Sequence, residues 1–172
     1  MRDMQKCWLW VAILFAVTAC DWKYSVSQLP QTVSVTVSGL SGTGLVLQNS
    51  GGNNLAVTSN GKYTFATPVP GGRAYNVSVL SQPVSPNQMC TVTNGSGNIS
   101  GTPVTNVQLA CVILGDVNGD SVVDYKDAIL AQRIALGLVA ATPDQLMRGD
   151  IHADGKIDIS DYLMIQKLGL GL

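Results

Sequence analysis

Near its C-terminus the chain reads Asp116-Val-Asn-Gly-Asp-Ser-Val-Val-Asp-Tyr-Lys-Asp127, and thirty-four residues later it reads Asp150-Ile-His-Ala-Asp-Gly-Lys-Ile-Asp-Ile-Ser-Asp161. Aspartates occupy positions 1, 5, 9 and 12 of both stretches. A hard cation takes roughly six to eight oxygen ligands in a flexible shell, so carboxylates at this spacing can curl around one ion. The last carboxylate of each stretch comes from the first turn of the helix that we expect to follow.

This spacing is that of the EF-hand calcium loop, so the sequence predicts two Ca²⁺ sites. The chain has 11 acidic residues, and all of them are aspartates. Eight lie in the two loops, and none lies between Trp22 and Gly115. A solvated charged surface would scatter its acids, whereas these are concentrated at one spacing, twice. The alternative is a pair of ordinary Asp-Gly surface turns.

The charge balance narrows the possible partners. Only 12% of residues are charged and the net charge is −1, which favours neither a nucleic acid nor a polybasic membrane patch. From Gly115 to Leu172, nine aspartates face five lysines or arginines, a local balance of −4 that two Ca²⁺ ions would neutralise. We expect this region to loosen when the metal is removed.

The N-terminus has the pattern of an export signal. Arg2 and Lys6 precede an apolar stretch from Trp8 to Ala16, which is too short to span a bilayer comfortably. The following Val17-Thr-Ala-Cys20 resembles a bacterial lipobox, which implies that Cys20 carries the lipid and anchors the exported chain to a membrane. We therefore expect a lipoprotein signal peptide at 1–19 and a lipidated tether at 20–30, on the periplasmic face or the cell surface. The alternative is an ordinary secretory peptide with an incidental cysteine.

Residues 31–113 have a β pattern throughout, which predicts an all-β antiparallel sandwich. Asn60-Gly61, between two short β segments, predicts a hairpin with a type I′ turn. The predicted strands are Thr32–Ser38, Leu45–Gln48, Leu55–Ser59, Lys62–Ala66, Tyr75–Leu80, Cys90–Thr93 and Val104–Cys111.

The same segment resembles an immunoglobulin-like β module of bacterial surface proteins. The stretches that carry the resemblance are Ser38–Asn49, Asn60–Phe65 and Cys90–Gly97. The resemblance implies a fold and a surface location but no chemistry, so we expect a spacer or interaction domain.

The four cysteines fall into two pairs. Cys7 and Cys20 lie in or at the end of the export signal, which leaves Cys90 and Cys111. An exported chain would allow these two to form a disulfide, which is the prediction we prefer over two buried free thiols.

The calcium loops belong to a longer repeat in which a helix follows each loop. Matching residues after the loops include Ile129 with Leu163, Gln132 with Gln166 and Gly137 with Gly171, and each glycine is a suitable helix C-cap. The repeat resembles a type I dockerin, and no helix precedes the first loop as it would in an ordinary EF-hand pair. The residues that carry the resemblance are Gly115-Asp-Val-Asn-Gly-Asp120, Asp124, Asp127, Arg133, Gly149-Asp150, Asp154-Gly155, Asp158, Asp161 and Lys167. It predicts a second domain at 114–172, a small all-α pair of calcium loop–helix units.

The resemblance assigns ligand roles by loop position. In the first loop the side chains of Asp116, Asn118, Asp120 and Asp127, the carbonyl of Val122, and Asp124 through a water are the expected ligands. In the second loop they are Asp150, Asp154, Asp158, Asp161 and the carbonyl of Lys156. Position 3 of that loop is His152, a poor calcium ligand, and position 6 of the first loop is Ser121 where the turn prefers glycine. We therefore expect the first loop to bind Ca²⁺ more tightly.

A dockerin binds a cohesin domain, and its partner-facing positions map onto both repeats. They are Tyr125, Lys126, Gln132 and Arg133 in the first, and Ile159, Ser160, Gln166 and Lys167 in the second. The plainer alternatives are a core position for Ile159 and a solvated helix face for Arg133 and Lys167.

These observations predict a membrane-anchored lipoprotein whose calcium-dependent module docks to a cohesin-type partner. The contrasting hypothesis is a self-contained surface adhesin or structural lipoprotein in which calcium only stabilises the fold. We expect no enzyme and no small-molecule substrate, because the middle segment has no acid and no histidine. His152 is the only histidine and has no second histidine or cysteine near it, which disfavours a transition-metal site.

Overall fold

The computed structural model describes residues 29–172. The predicted signal peptide, the lipidation site Cys20 and the tether up to residue 28 lie outside the described residues. No helix within residues 29–172 is long and apolar enough to cross a bilayer.

Within residues 29–172, eight strands form two four-stranded sheets. The first sheet has the order β4-β1-β8-β6 and the second has the order β3-β2-β5-β7. The strands are β1 (Val33–Ser38), β2 (Leu45–Asn49), β3 (Asn53–Val57), β4 (Gly61–Thr64), β5 (Ala74–Ser81), β6 (Gln88–Thr93), β7 (Ser96–Asn98) and β8 (Val104–Ile113).

The inner faces of the two sheets share one core. The three valines of β1, at alternate positions, are buried and meet apolar side chains from β2, β3, β5, β6 and β8. Ser34 between them is also buried, and its hydroxyl is hydrogen-bonded to that of Thr64 in β4. The largest fully buried side chains in this core include Phe65, Leu45, Leu47 and Leu109. The prediction that residues 31–113 form two β-sheets packed face to face is thus correct.

The prediction that this sandwich is wholly antiparallel is wrong at one pair. β1 and β8 run parallel, with Val35 opposite Val107 and Val37 opposite Leu109. A parallel pair needs a long crossover, and here the strands between β1 and β8 supply it. This pairing places the C-terminal end of β8 beside the C-terminal end of β1, and the segment that carries the first loop begins there.

The predicted Asn60-Gly61 hairpin is also wrong. β3 pairs with β2 and β4 pairs with β1, so the chain changes sheet at these residues. Asn60 holds the neighbouring loop instead, because its side chain accepts a hydrogen bond from the Leu40 amide (2.8 Å) and donates one to the Leu40 carbonyl (3.0 Å). The tight hairpin is the one between β2 and β3, across Ser50 to Gly52.

The predicted disulfide is confirmed. Cys90 of β6 and Cys111 of β8 are directly opposed on neighbouring antiparallel strands, and their sulfur atoms are bonded. Both residues are buried in the sandwich core.

Three helices follow the sandwich: α1 (Tyr125–Ala135), α2 (Pro143–Gly149) and α3 (Ile159–Gly169). Gly137 and Gly171 both have a φ of 70° and terminate α1 and α3, as predicted. Thr142 caps α2 through a capping box with Gln145, with Pro143 in its first turn. A second core joins loops and helices through Val117, Ala128, Ala131, Ile157 and Ile165.

The sandwich end next to the first loop is fixed by one buried side chain. Gln88 accepts hydrogen bonds from the amides of Ser41 (2.8 Å) and Gly42 (2.7 Å) and donates to the Gly39 carbonyl (2.8 Å). Leu114, the first residue after β8, donates its amide to the Asn87 carbonyl (3.0 Å). Only Leu114 and Gly115 separate the strand from the first loop, so the loop begins at a well-fixed point.

Replacing Gln88 with alanine should destabilise the sandwich by about 3 kcal/mol, because the buried Gly42 amide loses its partner, as do the partly buried Ser41 amide and Gly39 carbonyl. The denaturant-unfolding midpoint measures this. Gln108→Ala, on an exposed position of β8 in the same sheet, is the matched control and should change the stability by less than about 0.5 kcal/mol. Similar losses in the two variants would contradict the role given to Gln88.

Candidate metal centres

Each loop gathers three of its aspartates into one cluster. Asp116, Asp120 and Asp127 present carboxylate oxygens within 4.8 Å of one another, and so do Asp150, Asp154 and Asp161 in the second loop. These are positions 1, 5 and 12, three of the four aspartate positions of the repeat. Oxygen atoms gathered in this way are the donor set that a hard divalent cation prefers.

The backbone of both loops curls through two left-handed residues. Position 4 has a φ of 79° in Gly119 and 54° in Ala153, and position 6 has a φ of 72° in Ser121 and 89° in Gly155. The amide of position 6 then donates to the position-1 carboxylate, from Ser121 to Asp116 at 3.1 Å and from Gly155 to Asp150 at 2.8 Å. Each loop thus places a glycine at one of its two left-handed positions and a residue with a side chain at the other.

Position 9 has another role in this structure. Asp124 and Asp158 are the N-caps of α1 and α3, accepting hydrogen bonds from the amides of Lys126 and Ser160. Neither belongs to the two three-aspartate clusters. The expected ligand roles, Asp158 as a direct ligand and Asp124 through a water, remain predictions. The Ser160 hydroxyl and the Lys156 ammonium group lower the pKa of Asp158, so its carboxylate stays charged.

Position 12 links each cluster to a helix. The Asp127 carboxylate accepts from the Asn118 amide through one oxygen and from the Asp124 amide through the other, both at 2.9 Å. Asp161 does the same with the amides of His152 (3.1 Å) and Asp158 (3.0 Å). Both aspartates are fully buried, so the residue that closes each loop also completes the capping box of the helix after it.

The first cluster contains an unpaired buried oxygen. The Asp116 side chain is 1% exposed, and its Oδ1 has no hydrogen-bond partner among residues 29–172. Burial raises the pKa of Asp116, while the Ser121 amide and the Arg148 guanidinium act in the opposite direction. A buried carboxylate oxygen without a partner costs free energy unless a cation meets it, so this residue set fits a bound Ca²⁺.

The second cluster is more open and its position-12 oxygen is already engaged. Asp150 is only half-buried, and Asp161 Oδ1 accepts from the Ile151 amide (3.0 Å) and lies 2.9 Å from His152 Nδ1. Although burial acts to raise it, the pKa of Asp161 is lowered overall by hydrogen bonds from the Asp158 amide and from His152. His152 therefore contacts Asp161, a member of the three-aspartate cluster, and does not itself join the cluster.

The remaining predicted ligands lie on the loop surface. Asn118 Oδ1 accepts from the Asp120 amide (2.8 Å), which shapes the loop. Val122 and Lys156 occupy position 7 and are exposed, and the ligand roles of their carbonyls remain predictions. Lys156 Nζ lies 2.9 Å from Asp158 and 3.6 Å from Asp154.

The eight predicted partner residues are on the surface of the helical region. Tyr125 is 66% exposed and Ile159 is 55% exposed, so the alternative that placed Ile159 in the core is wrong. Gln132 is half-buried, and the other five, Lys126, Arg133, Ser160, Gln166 and Lys167, are exposed. A groove of about 160 Å³ runs between α1 and α3, lined by Tyr125, Ala128, Ile129, Gln132, Tyr162, Gln166, Gly169 and Leu170.

Sequence reasoning missed three residues of this region. Ile129 and Leu163 are 50% and 56% exposed on equivalent turns of α1 and α3, and the repeat had paired them without marking them as surface residues. Arg148 contacts the first cluster from α2. One feature of the sequence could have indicated Arg148. It aligns with the apolar Leu114 in the other copy of the repeat, so a charged residue replaces an apolar one at this position.

Comparison with protein families agrees with the interpretation of the two acidic loops as a repeated calcium-binding unit. Residues 114–168 match the model of the dockerin type I domain, which confirms the resemblance found in the C-terminal part of the sequence. Dockerin domains bind calcium, in agreement with the two acidic clusters. Comparison with curated proteins found no match to the chain.

Replacing Ser121 with glycine should stabilise the helical region by about 1 kcal/mol, because a side chain at a φ of 72° is strained and glycine is not. Thermal unfolding followed by the helical circular dichroism signal measures the change. Ser121→Ala is the control, since it removes the hydroxyl group and keeps the strained Cβ. A stabilisation that is equal in both variants would show that the hydroxyl group, rather than the backbone, is responsible.

Proposed function

We propose that the chain is a docking protein whose C-terminal region binds two Ca²⁺ ions and holds a cohesin-type domain non-covalently. The observation that carries this proposal is the repeated loop–helix unit, with its two aspartate clusters, inside the segment that matches the dockerin type I domain. A dockerin domain implies interaction with a cohesin partner. The sandwich then acts as a spacer that presents the docking region.

The link between metal and docking runs through the position-12 aspartates. A Ca²⁺ ion in each loop would supply positive charge that offsets the gathered carboxylates. Asp127 and Asp161 contribute to the clusters and also receive the N-cap amides of α1 and α3. Fixing these carboxylates fixes the first helical turns, where Tyr125, Lys126, Ile159 and Ser160 lie. Calcium would thereby orient the residues that meet the partner.

The surface of α1 and α3 has the composition of a protein interface. Tyr125, Ile129, Ile159 and Leu163 are apolar or aromatic and at least half exposed. Polar side chains border them, namely Lys126, Gln132, Arg133, Ser160, Gln166 and Lys167. An apolar centre with a polar rim is the usual arrangement at interfaces, where a few large anchors supply most of the binding energy.

The alternative is a surface adhesin or structural lipoprotein in which the calcium region only stabilises the C-terminus. That hypothesis requires the sandwich to cover the surface formed by α1 and α3. Arg133, Gln166 and Lys167 are exposed and Gln132 is half-buried between the two helices, which supports docking to another protein.

Membrane attachment and the absence of catalysis complete the proposal. A lipid on Cys20 would anchor the exported chain through the tether, on the periplasmic face or the cell surface. The sandwich has no acidic residue in its sequence, and the disulfide occupies both of its cysteines. This composition supports a spacer rather than an enzyme.

The docking proposal is tested with cohesin-type domains encoded in the same genome. The mature chain should bind one of them in Ca²⁺, and the binding should disappear in excess chelator. Tyr125→Ala combined with Ile159→Ala should weaken binding by about 100-fold, because exposed aromatic and aliphatic anchors dominate such interfaces. Leu80→Ala, at a comparably exposed apolar position of the sandwich, is the control and should leave the affinity unchanged. Calcium-independent binding, or no binding to any such domain, would contradict the proposal.

The two metal centres should differ in affinity. The first has a buried, unpartnered Asp116 oxygen and an oxygen-bearing Asn118 at position 3, whereas the second has His152 there. In a site-resolved NMR titration, amides of the first loop should therefore respond at the lower Ca²⁺ concentration. His152→Asp should raise the affinity of the second loop by about tenfold, because ligand charge sets affinity in such loops.

Asn118→Asp is the matched control, because it adds the same charge at the same position of the other loop. It should leave the second loop unchanged. If the second loop fills first in the unmodified chain, the proposed order of affinities is wrong.

A further inference from the structure

Arg148, at the end of α2, reaches into the first metal centre. Its Nη1 lies 2.8 Å from Asp116 Oδ2, and its Nε lies 3.0 Å from Asp144 Oδ2. The side chain is 19% exposed and the Asp116 carboxylate is 1% exposed, so the pair is largely shielded from water. The Arg148 carbonyl also accepts the Gly115 amide at 2.8 Å, which ties the same residue to the chain entering the loop.

The guanidinium group binds only one of the two Asp116 oxygens. Oδ2 takes the guanidinium and the Ser121 amide, whereas Oδ1 is buried and has no partner. Asp127, also fully buried, belongs to the same cluster. Two buried carboxylates at close range repel each other, and without a cation this arrangement would be strongly unfavourable.

In the part of the chain that the structure describes, no neighbouring helix supplies such a cation to the second metal centre. The residue that corresponds to Arg148 in the repeat is Leu114, an apolar side chain. Asp150 instead takes the amides of Asp154 (3.0 Å) and Gly155 (2.8 Å) and is only half-buried. Lys156 lies beside this cluster, but its side chain is 63% exposed, so water screens its charge.

We propose that Arg148 is a positioning residue of the first metal centre, which neutralises Asp116 and keeps the loop in its metal-binding shape before Ca²⁺ arrives. Asp144 holds the guanidinium group from the other side, and the free Oδ1 is left for the ion. The first loop then keeps its shape in the absence of calcium, whereas the second loop receives no equivalent contact from α2. This inference rests on the proposed calcium binding in the first loop.

Removing the guanidinium group should harm the metal-free protein more than the calcium-loaded protein. Without calcium, Arg148 is the cation that directly contacts buried Asp116, and its loss leaves a buried charge unpaired. With calcium bound, the ion itself neutralises the carboxylate. A residue that only packed α2 against the loop would stabilise the metal-free and calcium-loaded forms equally. A residue that only supported the bound ion would stabilise the calcium-loaded form more.

The test compares melting temperatures of the mature chain in excess chelator and in saturating Ca²⁺, by the helical circular dichroism signal. For Arg148→Met we expect a decrease of about 10 °C in chelator and about 4 °C in calcium. Arg148→Lys should recover part of the loss in chelator, because it restores the charge without the second contact to Asp144. Arg133→Met removes an exposed arginine from α1 and should change neither melting temperature by more than about 2 °C.

Equal decreases in chelator and calcium, or a larger decrease in calcium, would overturn the proposal. If Arg148→Met is unfolded in both conditions, Asp144→Asn decides, since Asp144 is 65% exposed and holds the guanidinium group. Asp144 is also the acidic residue in the first turn of α2, so its replacement should lower both melting temperatures slightly. The decrease should be larger in chelator than in calcium, and an equal or larger decrease in calcium would be contrary to the inference. If calcium does not raise the melting temperature of the unmodified chain, the proposed calcium binding fails, while the result in chelator still reports on Arg148 alone.

Discussion

The capping boxes closed by Asp127 and Asp161 are the interaction on which the helical region depends. Each of these buried carboxylates receives the backbone amide of the N-cap residue that starts a helix, and each faces the carboxylates of its own loop. Hydrogen bonds from the N-cap amides are not sufficient by themselves, because a buried carboxylate needs both hydrogen-bond donors and a compensating positive charge. Loop and helix start are therefore parts of one structural unit, and the helical region contains this unit twice.

The sandwich contributes to this unit by fixing where it begins. β8 is a central strand, held by β1 on one side and by β6 and the Cys90–Cys111 disulfide on the other. The chain then reaches the first aspartate cluster after two residues, and the Gly115 amide is bonded to the carbonyl of Arg148. A docking region attached in this way is presented from a rigid strand, in contrast to one carried on a long flexible linker.

The parts of the structure that follow from the sequence are those with local causes. The aspartate spacing, the glycines that end α1 and α3, and the alternation of the valines in β1 each depend on residues close together in the chain, so a local pattern is enough to predict them. The errors have non-local causes. Asn60 and Gly61 form a good turn in isolation, but Asn60 bonds to Leu40 while the chain passes from one sheet to the other. The roles of Gln88 and Arg148 depend on contacts across 46 and 32 positions, which no local pattern encodes.

The two repeats form loops of similar geometry from different residues. They differ in the burial of the position-1 carboxylate and in the charged side chains beside each cluster. The first loop has a fully buried position-1 carboxylate and a cation from α2, and the second has His152 beside its position-12 carboxylate and a half-buried Asp150. A docking surface built from both α1 and α3 needs both first turns in place. If the second loop orders only at the higher calcium concentration, it sets the threshold at which the whole surface forms. Under the proposed calcium-dependent docking, the divergence between the repeats would then have a functional consequence: the first loop would preserve the fold, and the second would make docking sensitive to calcium.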